Sequence, residues 1–211
     1  MNSKYFIAAI TLVLLISAET QAQDNNYIRT VFNESKGSGG YGALTNKFTA
    51  IDGEFANMVG IYGGWYVNHS FLIGVSAAAT TNHIAVPIEY SVNPLQNMSY
   101  MLGQVGAVTE YVVGSNNKVH VAFSLFTGAG FTAQYERYDW HDNDFDLDHE
   151  HDENWFFVAE PGIQVEVNLA RWMRFSPGVS YRAAFNSDAP GLSDSALSDM
   201  SYNLTLKFGK F

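Results

Sequence analysis

The sequence predicts a single all-β domain, an eight-stranded antiparallel up-and-down β-barrel that spans a membrane. Three observations predict it: an N-terminal export signal, eight long segments in which apolar and polar residues alternate, and polar faces that are rich in glycine and serine. Alternation with a period of two indicates strands whose two faces meet different surroundings. An even number of strands is typical of bacterial membrane barrels.

The first 22 residues are predicted to be a signal peptide that is cleaved after Ala22. Lys4 supplies the positive charge, residues 5–16 are apolar, and Ala22 is a small residue at the cleavage position. A membrane anchor is the alternative, but this apolar run is shorter than the roughly 20 residues that a spanning helix needs. Residues 23–38 are polar and are predicted to be a flexible lead-in, which leaves 39–211 for the barrel.

The composition excludes several classes of protein. Charged residues make up only 15% of the chain, against about 25% in typical soluble domains. The chain contains no cysteine, so disulfides, thiolate metal sites and lipoprotein attachment are excluded. The net charge of -10 argues against a nucleic-acid partner, because phosphate binding needs basic surface. No apolar run after the signal is long enough for a membrane helix, so a soluble exported domain or a membrane barrel remains.

The eight alternating segments are long. A tilted strand needs about 9 to 11 residues to cross a membrane, whereas strands in soluble sheets usually have about five or six. Nearly every segment reaches the membrane length, which favours the barrel. The predicted strands cover 41–50, 54–66, 70–80, 98–112, 119–135, 155–167, 172–184 and 200–210.

The residue types on the polar face predict that this face points inward. In the fifth segment Val121 and Phe123 lie on one face, and Ser124 and Gly128 lie on the other. Glycine weakens a strand in water but fits a crowded interior. A barrel of eight strands has an interior that side chains alone can fill. We therefore predict a packed polar lumen with a charge network of Glu160, Glu166, Arg174 and Arg182, in which opposite charges neutralise one another.

The connections between the segments alternate between short and long from the second one onward. Short periplasmic turns and long outer loops are the usual pattern of such barrels, so both chain termini are predicted to be periplasmic. The first outer loop must then be a tight hairpin at Asp52 and Gly53. Aromatic residues near strand ends predict a girdle at the headgroup level. They are Trp65, Tyr66, Tyr111, Tyr135, Trp155, Trp172 and Phe208.

Several motifs from Gly39 to the end resemble those of the small eight-stranded bacterial outer-membrane barrels, the group of the OmpA transmembrane domain and OmpX. They are the glycine-spaced segment 60–65, the segments 160–162 and 180–182, and the alternating ending 202–211. The resemblance implies an outer-membrane location, lipid as the surrounding partner, and recognition by the barrel assembly machinery through the strand that ends in Phe211. The sequence leaves the oligomeric state open, with a monomer favoured. Phe211 departs from the parity of Leu204 and Leu206, which leaves the register of the last strand open.

The third long loop is strongly acidic. Nine of the 21 acidic residues and three of the six histidines lie within 136–154. Carboxylates suit Ca²⁺ or Mg²⁺ and imidazoles suit Zn²⁺ or Cu²⁺, so a divalent cation could bind here. The alternative is a solvated loop that like charges keep extended, since the glycine and glutamate of an EF-hand are not at the right spacing. The candidate ligands are His141, Asp144, Asp146, Asp148, His149 and His151.

No arrangement in the sequence predicts catalysis or a cofactor. Nucleophilic catalysis needs a hydroxyl, a base and a group that orients the base, and neither His69 with Ser70, nor His83, nor His120 comes with such a set. An open channel is also disfavoured, because eight strands leave little passage. The predicted function is a non-enzymatic barrel with a structural or surface-interaction role through its outer loops. A cation-binding surface protein and a lipid-modifying enzyme are the alternatives.

Overall fold

The computed structural model describes residues 39–67, 70–115, 117–136 and 153–209. The predicted signal peptide 1–22, the lead-in 23–38, His69, the segment 137–152 and Phe211 lie outside these residues. Eight strands follow one another in chain order, as predicted. Their bounds are β1 Gly39–Ile51, β2 Glu54–Val67, β3 Phe71–Thr80, β4 Met98–Val113, β5 Val119–Glu136, β6 Asn154–Ala170, β7 Met173–Phe185 and β8 Asp199–Gly209.

The strands form one closed antiparallel barrel, which confirms the predicted fold class. Each strand pairs with the next along the chain, and β8 returns to pair with β1. Thr45 on β1 lies opposite Thr205 on β8, so the lumenal residues of the two strands stay opposite each other where the barrel closes. A closed sheet leaves no unpaired edge strand. In β8 the side chains of Tyr202, Leu204 and Leu206 all point outward.

The two ends of the barrel differ in their connections. At the long-loop end lie the β1–β2 turn and the loops 81–97 and 186–198, and β5 ends and β6 begins there. At the short-turn end β2, β4 and β6 end, and β3, β5 and β7 begin. The start of β1 and the end of β8 also lie at the short-turn end. Asp52 and Gly53 form the predicted tight hairpin, with φ values of 51° and 76°. Positive φ at both central residues defines the turn type that matches the twist of paired strands.

Two short helices occur in the described loops, a 3₁₀ helix Ile88–Tyr90 and an α-helix, α1, at Asp194–Leu197. Ser193 caps α1, because its side chain accepts a hydrogen bond from the backbone N–H of Ala196. In the described part of the chain, no helix has the length and apolar character needed to cross a membrane.

The outer face of the barrel is apolar on every strand. Each strand exposes a large apolar side chain near its middle, with exposed fractions between 42% and 60%: Leu44, Ile61, Ile73, Val105, Phe123, Ile163, Tyr181 and Leu204. Soluble monomers rarely expose contiguous apolar surface on this scale. The predicted inward orientation of the polar faces is therefore what the structure shows.

Aromatic pairs stand on the outer face near both barrel ends. Trp155 packs against Phe131 at the long-loop end with ring centroids 5.2 Å apart, and Trp172 stacks on Phe208 at the short-turn end at 6.2 Å. The prediction of the girdle was wrong for one residue, because Tyr66 is fully buried and points into the lumen. Its hydroxyl can therefore bond a buried carboxylate. The position of Tyr66 near a strand end did not predict this inward orientation.

Candidate functional site in the barrel lumen

The lumen holds the four charged residues singled out from the sequence, and all four are buried. Glu160, Glu166, Arg174 and Arg182 are between 0% and 4% exposed. Only Glu166 and Arg174 pair with each other, with Nη1 of Arg174 lying 3.2 Å from Oε2 of Glu166. The remaining two bind other groups, so the structure divides the predicted network into separate clusters.

The Lys207 cluster, near the short-turn end, comprises Lys207, Glu110, Glu166, Arg174 and His120 together with three tyrosines. Lys207 donates to both carboxylate oxygens of Glu110, at 2.9 and 2.7 Å, and also to Oε1 of Glu166. Nε2 of His120 lies 2.8 Å from the other oxygen of Glu166. The side chains of Lys207, Glu110 and Glu166 are excluded from bulk water. One ammonium group therefore bridges two carboxylates.

Three tyrosines complete the hydrogen bonding of Glu110. The hydroxyls of Tyr41 and Tyr62 donate to it at 3.0 Å each, and that of Tyr66 at 3.3 Å. The rings of Tyr41 and Tyr62 also lie 5.8 Å from the ammonium of Lys207, within the range of cation–π attraction. Burying a charge is costly unless it is paired and hydrogen-bonded. The three tyrosine hydroxyls supply hydrogen bonds to the buried charge of Glu110 at the short-turn end.

A second cluster, the Glu160 cluster, lies further towards the long-loop end. Lys47 donates to both oxygens of Glu160 at 2.8 Å. Ser180 and Gln104 donate to the same carboxylate at 2.6 and 3.1 Å. The ion pair of Lys47 and Glu160 links β1 to β6 across the lumen, because these two strands are not neighbours in the sheet. Charge-assisted bonds of this kind are roughly twice as strong as neutral ones.

Arg182 binds no carboxylate oxygen in the described structure. Its guanidinium donates to the backbone carbonyl oxygens of Leu197 at 2.6 Å and Ala50 at 2.8 Å, and Nη1 lies 3.4 Å from the sulfur of Met58. Leu197 is the last residue of α1, and Ala50 lies just before the first hairpin. Arg182 thus ties the loop 186–198 to the rim of the barrel.

An apolar plug fills the long-loop end of the lumen around Arg182. Loop residues contribute to it as well as strand residues, since Ile84, Leu192 and Leu197 are at most 1% exposed. The plug consists of Ile51, Met58, Ile84, Tyr100, Leu102, Phe126, Phe156, Val158, Leu192 and Leu197, with smaller side chains between them. The hydroxyl of Tyr100 donates to the carbonyl of Pro190 at 2.8 Å, which holds the loop 186–198 over the plug.

Between the two clusters lies a cavity of about 50 Å³. Residues from all eight strands line it, among them Glu110, Glu160 and Asn203. Wide aqueous lumens belong to barrels of about 16 strands or more, whereas eight strands bring opposite walls within side-chain reach. The ion pairs on one side and the plug on the other leave no wide passage along the described lumen.

Sequence reasoning missed three charged members of the lumen, Lys47, Glu110 and Lys207. A signal was present for each of them, because each occupies the lumenal parity of its strand. Lys207 lies between the apolar, outward-facing Leu206 and Phe208 on β8. Glu110 lies between Thr109 and Tyr111 on β4. Lys47 is buried between the partly exposed Asn46 and Phe48 on β1. Parity alone would therefore have placed them in the lumen, although it could not have named their partners.

The candidate cation ligands His141, Asp144, Asp146, Asp148, His149 and His151 lie outside the described residues, so that site stays a prediction. Among the described residues no group of three or more His, Asp or Glu side chains is arranged to hold a metal ion. Nδ1 of His83 lies 2.9 Å from the hydroxyl of Tyr135. In the described part of the chain His120 contacts the carboxylate of Glu166 at 2.8 Å and the carbonyl oxygen of Asn117 at 3.2 Å.

This geometry, a closed eight-stranded barrel with an apolar outside and a packed polar lumen, is the fold of the small outer-membrane β-barrel proteins. Neisserial surface protein A is similar in structure, with a TM-score of 0.59 and 10% identity over 82% of this chain and 97% of that one. Ail of Yersinia pestis is also similar, with a TM-score of 0.47 and 11% identity over 82% of this chain and 98% of that one. The N-terminal barrel of OprF from Pseudomonas aeruginosa has a TM-score of 0.48 and 8% identity over 80% of this chain and 96% of that one. No protein-family model and no curated sequence matches the chain.

Proposed function

We propose that this chain is a non-enzymatic protein of the bacterial outer membrane, in which a closed barrel carries outer loops that make surface contacts. The observation that carries the proposal is the contrast between the two faces of the wall. The outer face is apolar on all eight strands, whereas the inner face holds fully buried ion pairs. Hydrocarbon is the medium that suits such an outer face.

The orientation we propose follows from the connections. Long loops face the outside of the cell and short turns face the periplasm in barrels of this kind. The long-loop end, with α1 and the loop 81–97, is then extracellular, and the start of β1 and the end of β8 are periplasmic. We also propose that β8, with its outward Leu204 and Leu206, is the strand that the assembly machinery recognises, and that the barrel is a monomer.

Reconstitution of the purified protein into planar lipid bilayers tests the closed barrel. We expect the protein to insert, which a change of gel mobility on boiling in detergent will show, and to give no steady conductance. The ion pairs of Glu110, Glu160 and Glu166 cross the lumen, and their side chains fill it. Steady openings from inserted protein would contradict the packed lumen. A chain that stays soluble without detergent and does not fractionate with outer membranes would contradict the membrane location.

The described outer loops support a surface-interaction role, because they form a fixed platform with apolar tips. Gln134 on β5 donates to the carbonyl of Tyr90 at 2.8 Å and accepts from the N–H of Val92 at 3.0 Å, which anchors the loop 81–97. Ile88 and Leu95 on the same loop are 74% and 97% exposed. Side chains held out in this way are available for contact with an apolar partner surface.

Adhesion of whole cells to hexadecane droplets measures this contribution. We expect cells that display the double variant Ile88→Ser/Leu95→Ser to partition into the droplets less than cells with the unchanged protein, because two exposed apolar side chains are lost. Val113→Ser is the matched control, since Val113 is half-exposed at the opposite end of the barrel. Equal partitioning of the double variant and the unchanged protein, at equal amounts of folded protein, would contradict the role of this loop.

A further inference from the structure

The charges outside the lumen are separated by sign between the two ends of the barrel. All the described carboxylates that are not in the lumen clusters lie at the long-loop end: Asp52, Glu54, Glu89, Glu136, Glu153, Asp188, Asp194 and Asp199. The described cations outside the lumen are Lys118 and Arg171, and both lie in connections at the short-turn end. The described part of the short-turn end therefore presents positive charge only.

The two cations lie in neighbouring connections at the short-turn end, and hydrogen bonds from Asn168, near the end of β6, hold the first of these connections. Lys118 ends the β4–β5 connection and Arg171 begins the β6–β7 turn. The backbone N–H of Asn168 donates to the carbonyl of Lys118 at 2.9 Å, and the side chain of Asn168 donates to the carbonyl of Asn117 at 2.7 Å. Both cationic side chains are exposed, and no described carboxylate forms an ion pair with either.

An aromatic ring adjoins this charged pair at the edge of the apolar outer face. Trp172 follows Arg171 directly, is 58% exposed, and stacks on Phe208 of β8. Its carbonyl accepts the N–H of Gly209 at 3.0 Å, which fixes the turn against the end of the barrel. Tryptophan favours the depth at which lipid headgroups meet acyl chains. The indole therefore places the adjoining Arg171 at headgroup level, and Lys118 lies in the neighbouring connection at the same end of the barrel.

We propose that Lys118, Arg171 and Trp172 form a site for the headgroup of an anionic phospholipid at the short-turn end. The phosphodiester oxygens accept hydrogen bonds from the guanidinium and the ammonium group, while the indole packs against the upper part of the acyl chains. Charge complementarity and the adjoining apolar wall favour a lipid over a soluble anion or an acidic protein. This inference rests on the proposed membrane function. It adds the class of lipid that the short-turn end binds.

Native mass spectrometry of the full chain, released from bilayers of phosphatidylethanolamine and phosphatidylglycerol in equal amounts, tests the site. We expect the unchanged protein to retain phosphatidylglycerol in preference, by about fivefold for each cation that contacts the headgroup. Lys118→Gln/Arg171→Gln should bring the two lipids to equal retention, and Arg171→Lys should keep the preference. Glu89→Gln, which removes a charge at the opposite end, is the control and should change nothing.

Equal retention of the two lipids by the unchanged protein would overturn the site, and so would an unchanged preference in Lys118→Gln/Arg171→Gln. Displacement of phosphatidylglycerol by added inorganic phosphate would show a general anion site and would overturn the lipid assignment. The boiling-dependent gel mobility of each variant reports whether the barrel is folded. A protein that never enters the bilayer contradicts the proposed function as well, whereas one that enters without lipid preference contradicts this site alone.

Discussion

Replacement of Lys207 by methionine is expected to lower the free energy of unfolding by about 3 to 5 kcal/mol, the usual cost of removing one partner of a buried ion pair. The side chains of Lys207, Glu110 and Glu166 are all fully buried, and the ammonium of Lys207 is bonded to both carboxylates. Without it, the buried carboxylate of Glu110 loses its cation, whereas Glu166 keeps Arg174. Urea titration of the protein in lipid vesicles, followed by gel mobility without boiling, measures the loss.

Two variants control this experiment. Lys118→Met removes an exposed lysine, and exposed charges contribute little to stability, so its urea midpoint should stay close to that of the unchanged protein. The double variant Lys207→Met/Glu110→Gln also removes the carboxylate that is left without a cation, so it should recover part of the stability. A midpoint for Lys207→Met equal to that of Lys118→Met would show that the Lys207 cluster contributes nothing to the closed lumen.

Alanine at Gly106 is expected to lower the free energy of unfolding by about 1 to 3 kcal/mol, the usual range for overpacking a dense interior. Gly106 stands opposite Gly128 in the β4–β5 pair. A Cβ atom at position 106 would lie 2.5 Å from Cα of Gly128 and would collide with the carbonyl oxygen of Thr127. Both obstacles are backbone atoms, so the strands themselves would have to move apart.

Gly42→Ala is the matched control for this substitution, and the opposite sign is expected. Gly42 also lies in a strand, but a Cβ atom there would have no neighbour within 4 Å. Alanine in a strand loses less conformational entropy on folding than glycine, which favours the variant by roughly 0.5 to 1 kcal/mol. The same urea titration compares the two. Equal shifts in one direction would mean that the contact between Gly106 and Gly128 does not limit the packing.

The faces of the strands could be predicted from the sequence because they depend on local alternation. Leu204 and Leu206 point outward and Thr205 points inward, since successive residues of a strand point to opposite sides. The inward placement of glycine followed from its poor fit to an exposed strand. The tight hairpin at Asp52 and Gly53 followed from the chemistry of its two residues, both of which adopt positive φ.

The partners of the lumenal charges could not be predicted in the same way. Glu160 pairs with Lys47, which is 113 residues distant in the chain. Arg182 finds backbone carbonyls instead of a carboxylate, because the loop that contains α1 folds over the rim and brings the carbonyl of Leu197 within 2.6 Å. Which side chains meet across a lumen depends on the tilt and stagger of all the strands together, and no local pattern contains that information.

The sequence by itself determined the number of strands, their order, the apolar outside and the polar inside, because length, alternation and turn chemistry act between near neighbours. The tertiary structure alone decided how the lumen is closed. It brought Lys207 between Glu110 and Glu166 and placed Tyr66 inside the wall instead of in the aromatic girdle. Closing the sheet sets residues from distant strands at the same height, and only then does each buried charge have a partner.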